Sequence, residues 1–187
     1  MKPLRRIIIT SMCALFVFWA MFQFSFAAMF SDSAFYPWFN NAVNAMVLQS
    51  DRKIIMVGNF TSYNGVSGTG VTRIVRVNPD GTIDSSFNGN ASGLNAFTTA
   101  LAVQTDGKIV IWWGFLNYNG TTTNRIARLN TDGTLDTGFN VWGSGFNNNV
   151  YVFTQQSDSK ILIGGQFSDY NGVTGNRLIR VDLDGTL

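Results

Sequence analysis

Few residues in this chain could carry chemistry. The sequence of 187 residues has no histidine, and its 11 acids are all aspartate. Without imidazole there is no Ser-His-Asp or Cys-His triad, no histidine-ligated metal and no histidine switch near neutrality. What remains is a small set of recurring patterns. Asn78-x-Asp80-Gly81-x-x-Asp84, Asn130-x-Asp132-Gly133-x-x-Asp136 and Asp182-x-Asp184-Gly185 loosely resemble calcium loops. Calcium takes about six or more oxygens, and these segments lack the bidentate acid that ends an EF-hand loop. The spacing favours an Asp-Gly hairpin turn with the carboxylate bonded to its own backbone, so no cofactor is expected, calcium being the one alternative.

The cations recur as regularly as the acids. Lys53, Lys108 and Lys160 hold matching places, as do Arg76, Arg128 and Arg180. They could line a channel for anionic ligands. Asp51, Asp106, Asp158, Asp84 and Asp136 recur beside them, however, which predicts structural ion pairs or hydrogen bonds between repeats. A carboxylate pair could serve glycoside chemistry, but nearly every aspartate is locked to the repeat; Asp169, beside Tyr170, is the main exception. Trp112, Trp113 and Trp142 occur once each, with the asparagines at 147–149 nearby, a combination that could stack and hydrogen-bond a sugar. The competing reading is that adjacent tryptophans in a strand point to opposite faces and fill space. Three Asn-x-Ser/Thr sequons, at Asn59, Asn90 and Asn119, read as chance in an Asn- and Thr-rich chain.

These residues sit on an internal repeat. Gln49 to Phe60, Gln104 to Phe115 and Gln156 to Phe167 align, each reaching Tyr-Asn-Gly at Gly65, Gly120 and Gly172. Arg73, Arg125 and Arg177 then open a second block at a spacing of 52 residues. The first repeat carries extra residues in the loop between Gly65 and Arg73, where insertions are tolerated. Within a repeat, Asp-Gly turns between apolar runs predict hairpins. The second strand, such as Ile54-Ile55-Met56-Val57, is apolar without alternation and so is covered on both faces. The expected fold is all-β: about three four-stranded blades of ~52 residues, an incomplete β-propeller, with a β-solenoid of shorter coils as the alternative.

The ends carry their own signals. Lys2, Arg5 and Arg6 precede an apolar run from Ile7 to Phe24 that closes on Ser25-Phe26-Ala27-Ala28. This is a secretory signal peptide over 1–27, cleaved after Ala27, or an uncleaved signal anchor, and it predicts an N-terminal hydrophobic helix. The repeats are then 28–87, 88–139 and 140–187, the last stopping at Leu187 before an expected aspartate, as in a longer open reading frame. Cys13 lies in the signal run, leaving no disulfide in the exported part. Without Lys2, Arg5 and Arg6 the 13 basic residues become 10 against 11 acids, a net of −1. That balance gives no basic patch for nucleic acid, and the membrane is met only through the signal segment if it is uncleaved.

The pattern Gln-x-Asp-Gly-Lys-Ile-Leu-Ile-Gly-Gly-x-Phe, Tyr-Asn-Gly, Arg-x-x-Arg-Leu-Asn-x-Asp-Gly-Thr-Leu-Asp-x-x-Phe resembles the delta-60 repeat, a DUF5122-type bacterial β-propeller repeat of unassigned function. The resemblance covers roughly residues 40 to 187. This chain departs from the pattern at Arg52 and Ser159, which stand in place of the turn Gly107, and at Trp112-Trp113, where Gly164-Gly165 stands later. The resemblance implies a secreted or cell-surface protein. Residues shared by every repeat serve the blade, so the expectation is no enzyme but a binding, adhesion or scaffold module for an extracellular protein or glycan. The alternative is a carbohydrate-active propeller hydrolase or lyase whose site lies in other blades.

Overall fold

The computed structural model describes residues 38–68, 70–88, 92–140 and 143–187. The signal segment, Cys13 and Trp142 lie outside the described residues. Among the described residues there is no α-helix. The non-alternating apolar runs form the middle strands β2 (Ile54–Gly58), β7 (Ile109–Trp113) and β12 (Ile161–Gly165) of three antiparallel sheets. On one side they pair with β1 (Val43–Leu48), β6 (Thr98–Val103) and β11 (Val150–Gln155). On the other they pair with β5 (Ile74–Val77), β10 (Ile126–Leu129) and β15 (Leu178–Val181). Each first strand shifts register at the same place, between Val43 and Ala45, Thr98 and Ala100, and Val150 and Val152.

The second sheet shows why its middle strand has no polar face. Ile109 and Ile111 pack with Ile55, Val57 and Ile74 of the first sheet. Val110, Trp112 and Ile126, on the other face, pack with Ile161, Ile163 and Val181 of the third. Alternate side chains thus reach opposite neighbours, as the pleat requires. Each such burial stabilises by roughly 1.5–3 kcal/mol. On the outer face of the third sheet, Leu178 is 63% exposed, whereas its counterparts Ile74 and Ile126 are buried by the following sheet.

The expected four-stranded blade is corrected. The segment after the second Asp-Gly turn makes a single bridge, Val77 to Ile83 or Leu129 to Leu135, and no strand. The Asp136 carboxylate accepts the Gly138 N–H at 2.9 Å and the Phe139 N–H reaches the Asp136 carbonyl at 3.2 Å, so the chain turns away after Leu135. Three two-stranded ribbons appear instead: β3 (Ser62–Tyr63) with β4 (Val66–Ser67), β8 (Asn117–Tyr118) with β9 (Thr121–Thr122), and β13 (Asp169–Tyr170) with β14 (Val173–Thr174). Their Asn-Gly turns have both central residues at positive φ, 50° at Asn119 and 82° at Gly120, the backbone of a type I′ hairpin.

Each ribbon is tied to its repeat's Asp-Gly turn. The hydroxyls of Tyr63, Tyr118 and Tyr170 donate to the carbonyls of Gly81, Gly133 and Gly185 at 2.6, 2.5 and 2.6 Å. Burial pushes the Tyr118 and Tyr170 hydroxyls well above the usual phenol range, so both stay protonated donors. Tyr118→Phe is expected to lower stability by about 1–2 kcal/mol, because it removes a buried hydrogen bond and strands a carbonyl. Equilibrium urea unfolding checks this; a midpoint equal to that of wild type would show that the ribbon is not fastened by the hydroxyl.

Candidate functional site

The repeat-locked charges come together in pairs within each repeat. Asp84 Oδ2 accepts Arg76 Nε at 2.7 Å and Lys53 Nζ at 2.8 Å. Asp136 Oδ2 accepts Arg128 Nε and Lys108 Nζ at the same two distances. The guanidiniums lie over Phe87 and Phe139, 4.6 and 4.9 Å from the ring centres. Of the expected ion pairs or hydrogen bonds between repeats, the ion pairs are corrected, since they are internal to a repeat, and the hydrogen bonds do cross. What crosses between repeats is the free end of each arginine. Arg76 Nη1 donates to the Thr131 carbonyl and Arg128 Nη1 to the Leu183 carbonyl, both at 2.5 Å. A second clasp is built by Arg73 and Arg125, whose Nη1 atoms reach the carbonyls of Leu94 and Phe146 at 2.9 and 2.8 Å.

Asp51, Asp106 and Asp158 are corrected as well. Among the described residues they pair with no cation, and each accepts the backbone N–H two residues on, at Lys53, Lys108 and Lys160, at 3.0–3.1 Å. The short link from carboxylate to turn satisfies the oxygen before a side chain can reach it. Arg52 and Ser159 adopt positive φ, 65° and 68°, in the left-handed region where Gly107 stands at 83°, so the turn is kept at those departures. In the third repeat Lys160 Nζ pairs with Asp182 at 2.5 Å and Arg180 is exposed.

Asp80, Asp132 and Asp184 each accept both the N–H and the hydroxyl of the threonine two residues on, at 2.9–3.0 and 2.7 Å. Those bonds hold their carboxyls below the usual range. Among the described residues no cluster of three metal-ligating side chains occurs. At Asp84 burial pushes the carboxyl up, but hydrogen bonds from Lys53 and Ser86 and the charge of Arg76 outweigh it and hold the pKa far below the usual range. Asp136 is shifted the same way, burial being outweighed by Lys108, the Gly138 N–H and Arg128.

A folded-state pKa below the unfolded value of 3.8 means that the stabilisation is complete above that pH and is lost as the pH falls through the folded-state value. With no histidine in the sequence, the melting temperature is expected to be flat between about pH 5 and 8 and to drop steeply below about pH 4. Differential scanning fluorimetry across pH 2–8 measures it, and a plateau down to pH 2 would mean that the carboxylates carry little stability.

The aromatic candidates separate. Trp112 is 5% exposed and stacks on Phe153, ring centres 4.8 Å apart, inside the core between the second and third sheets. Trp113 is half-buried against Tyr151, at 4.8 Å. Its φ of 146° is one an L side chain rarely adopts, at a position held by Gly58 and Gly165 in the other repeats. Tyr151 replaces Asn44 and Thr99 of the aligned repeats, a single-copy signal that the repeat alignment contains and that the tryptophan pair overshadowed.

A cleft of about 450 Å³ opens in the second repeat, between the β8–β9 ribbon with the chain following it and the segment after the second Asp-Gly turn. Thr121, Thr122, Thr123, Asn124, Thr137 and Phe139 line it, with the Arg128–Asp136 pair at its wall. None of the threonines was singled out by motif, because threonine is common in this chain.

Three sheets of one repeating pattern, packed face to face and clasped by repeat-borne arginines, define a β-propeller-type repeat protein. The chain matches the family described as Domain of unknown function (DUF5122) beta-propeller over residues 49–87, 104–139 and 156–187, and it belongs to that family. No curated protein and no solved structure matches it.

Proposed function

We propose that this chain is a non-enzymatic binding or scaffold module, exported by its N-terminal hydrophobic segment and working outside the cell on a protein or glycan partner. One observation carries the reading. Every aspartate among the described residues already accepts a hydrogen bond or ion pair from its own repeat, from the Lys53 N–H on Asp51 to the Gly172 N–H on Asp169. General acid–base work needs a carboxyl free to exchange a proton, and glycoside hydrolysis needs two facing each other. With no glutamate and no histidine, the chain offers neither from these residues.

The basic n-region and apolar run support export, and the loss of three basic residues on cleavage leaves a surface without excess positive charge. The test pairs two assays on the full exported chain: a glycan and surface-protein binding array, and a screen for released reducing sugar. Saturable binding without turnover supports the proposal, and catalytic sugar release would overturn it in favour of a carbohydrate-active enzyme.

A further inference from the structure

We propose that Trp113 and Tyr151, flanked by Asn149, form a stacking site for a neutral sugar ring where the second and third repeats meet. This rests on the reading of the chain as a non-enzymatic binding module and names its ligand class and site.

The repeats supply their own control. At Gly58 and Gly165, the residues matching Trp113, a Cβ would run into a carbonyl oxygen, that of Ala42 or of Asn149. The second repeat carries a side chain at this place with φ at 146°. A neighbouring bond is missing with it. The Asn59 N–H reaches the Ala42 carbonyl at 2.9 Å and the Gln166 N–H the Asn149 carbonyl at 2.8 Å, whereas the matching Gly114 N–H makes no such bond to the Phe97 carbonyl. A rare backbone conformation and a forgone hydrogen bond both cost stability. The ring is half-buried and so recovers less by burial than a core tryptophan such as Trp112. Strain of this kind persists where a side chain acts on something outside the fold.

The neighbours of the ring select the ligand's chemistry. Tyr151, the second single-copy residue, meets Trp113 with the ring planes 39° apart and stays 38% exposed. Asn149 Oδ1 lies 3.7 Å from where a Cβ of Gly114 would stand, beside Trp113. Among the described residues neither the Asn149 side-chain amide nor the Tyr151 hydroxyl makes a hydrogen bond, so both are open to a ligand. All three side chains are uncharged. Arg125, whose carbonyl accepts the Trp113 N–H, gives its Nη1 to the Phe146 carbonyl. The site therefore offers aromatic faces, whose negative quadrupole attracts polarised C–H groups, bordered by an amide and a phenol that donate and accept. A pyranose matches both halves, with a C–H face for the rings and hydroxyls on its rim for the amide and phenol.

The experiment uses the full exported chain with cellobiose, maltose and N,N′-diacetylchitobiose as probes, read by saturation-transfer NMR and calorimetric titration. Wild type is expected to bind at least one of them, with the strongest saturation on the ring C–H protons of the sugar. Trp113→Gly, which installs the residue of the other two repeats, is expected to weaken that binding at least about tenfold with a melting temperature unchanged or raised. Tyr151→Asn, which installs the first repeat's residue at an exposed position, is expected to weaken it by a similar factor. No binding of any probe at millimolar concentration overturns the proposal, and saturable binding of a protein on the array would then leave the binding-module reading in place. Sugar binding that survives both substitutions overturns the site and leaves that reading standing. A clear fall in melting temperature for Trp113→Gly also overturns the proposal, since the ring would then serve the fold. Hydrolysis of a probe that Tyr151→Asn abolishes upholds the site and overturns only the non-enzymatic reading.

Discussion

Asp84→Ala is expected to lower the stability of the folded chain by about 3–5 kcal/mol, the cost of leaving a buried charge without its partner. Asp84 is 7% exposed and its one oxygen, Oδ2, serves both Arg76 and Lys53. Lys53 is partly exposed and can turn to water when the carboxylate is gone. Arg76 cannot, because its guanidinium is held beneath the second repeat by the Thr131 carbonyl and over the Phe87 ring. The loss therefore appears as a lower midpoint of chemical unfolding. Replacing both partners, Asp84→Leu with Arg76→Met, is expected to recover much of it, since a hydrophobic pair of similar size carries no desolvation penalty. A single-variant loss below about 1 kcal/mol would place the pair with exposed salt bridges instead.

Gly133→Ala is expected to cost about 2–5 kcal/mol, from two separate causes. Gly133 has φ +82°, where a side chain adds roughly 1–2 kcal/mol. A Cβ there would also lie 2.7 Å from the Asn88 backbone nitrogen and 2.8 Å from the Phe87 ring, and overpacking of that kind adds about 1–3 kcal/mol. Gly120 separates the causes, because it has the same φ of +82° and nothing within 4 Å of its Cβ position. Gly120→Ala should therefore cost only the backbone share, about 1–2 kcal/mol. Equal losses for the two variants, measured by thermal unfolding, would show that the Asp-Gly turn does not press against the preceding repeat.

The repeat, its Asp-Gly turns and the doubly covered middle strand were legible in the sequence because each has a local cause: a turn chemistry, or an apolar run such as Ile109-Val110-Ile111. The missing fourth strand was not. Thr134-Leu135-Asp136 has strand-like patterning, and only the backbone bonds of Asp136 show that pairing ends after one bridge. The ribbons had a signal, Asn-Gly, which predicts a type I′ hairpin wherever short runs flank it. Charge pairing misled for a geometric reason: Asp51 is near Lys53 in sequence but spends its oxygen on the backbone, while Asp84, far along the chain, meets Lys53 in space. At the candidate site, Tyr151 carried a signal in the sequence, standing where the aligned repeats have Asn44 and Thr99, whereas the cleft lined by Thr121 to Asn124 and Phe139 arises from chain packing that no local pattern encodes.

The central structural claim, that each sheet is covered by the next and clasped through its arginine, has a direct test in arginine accessibility. Native protein is treated with phenylglyoxal and the adducts are located by mass spectrometry. The expected result is modification of Arg177 and Arg180, which are exposed, with Arg76 and Arg128, 6% and 5% exposed, left unmodified until the protein is denatured. Modification of Arg128 at the rate of Arg180 in the native protein would contradict the stacked, clasped arrangement of the repeats.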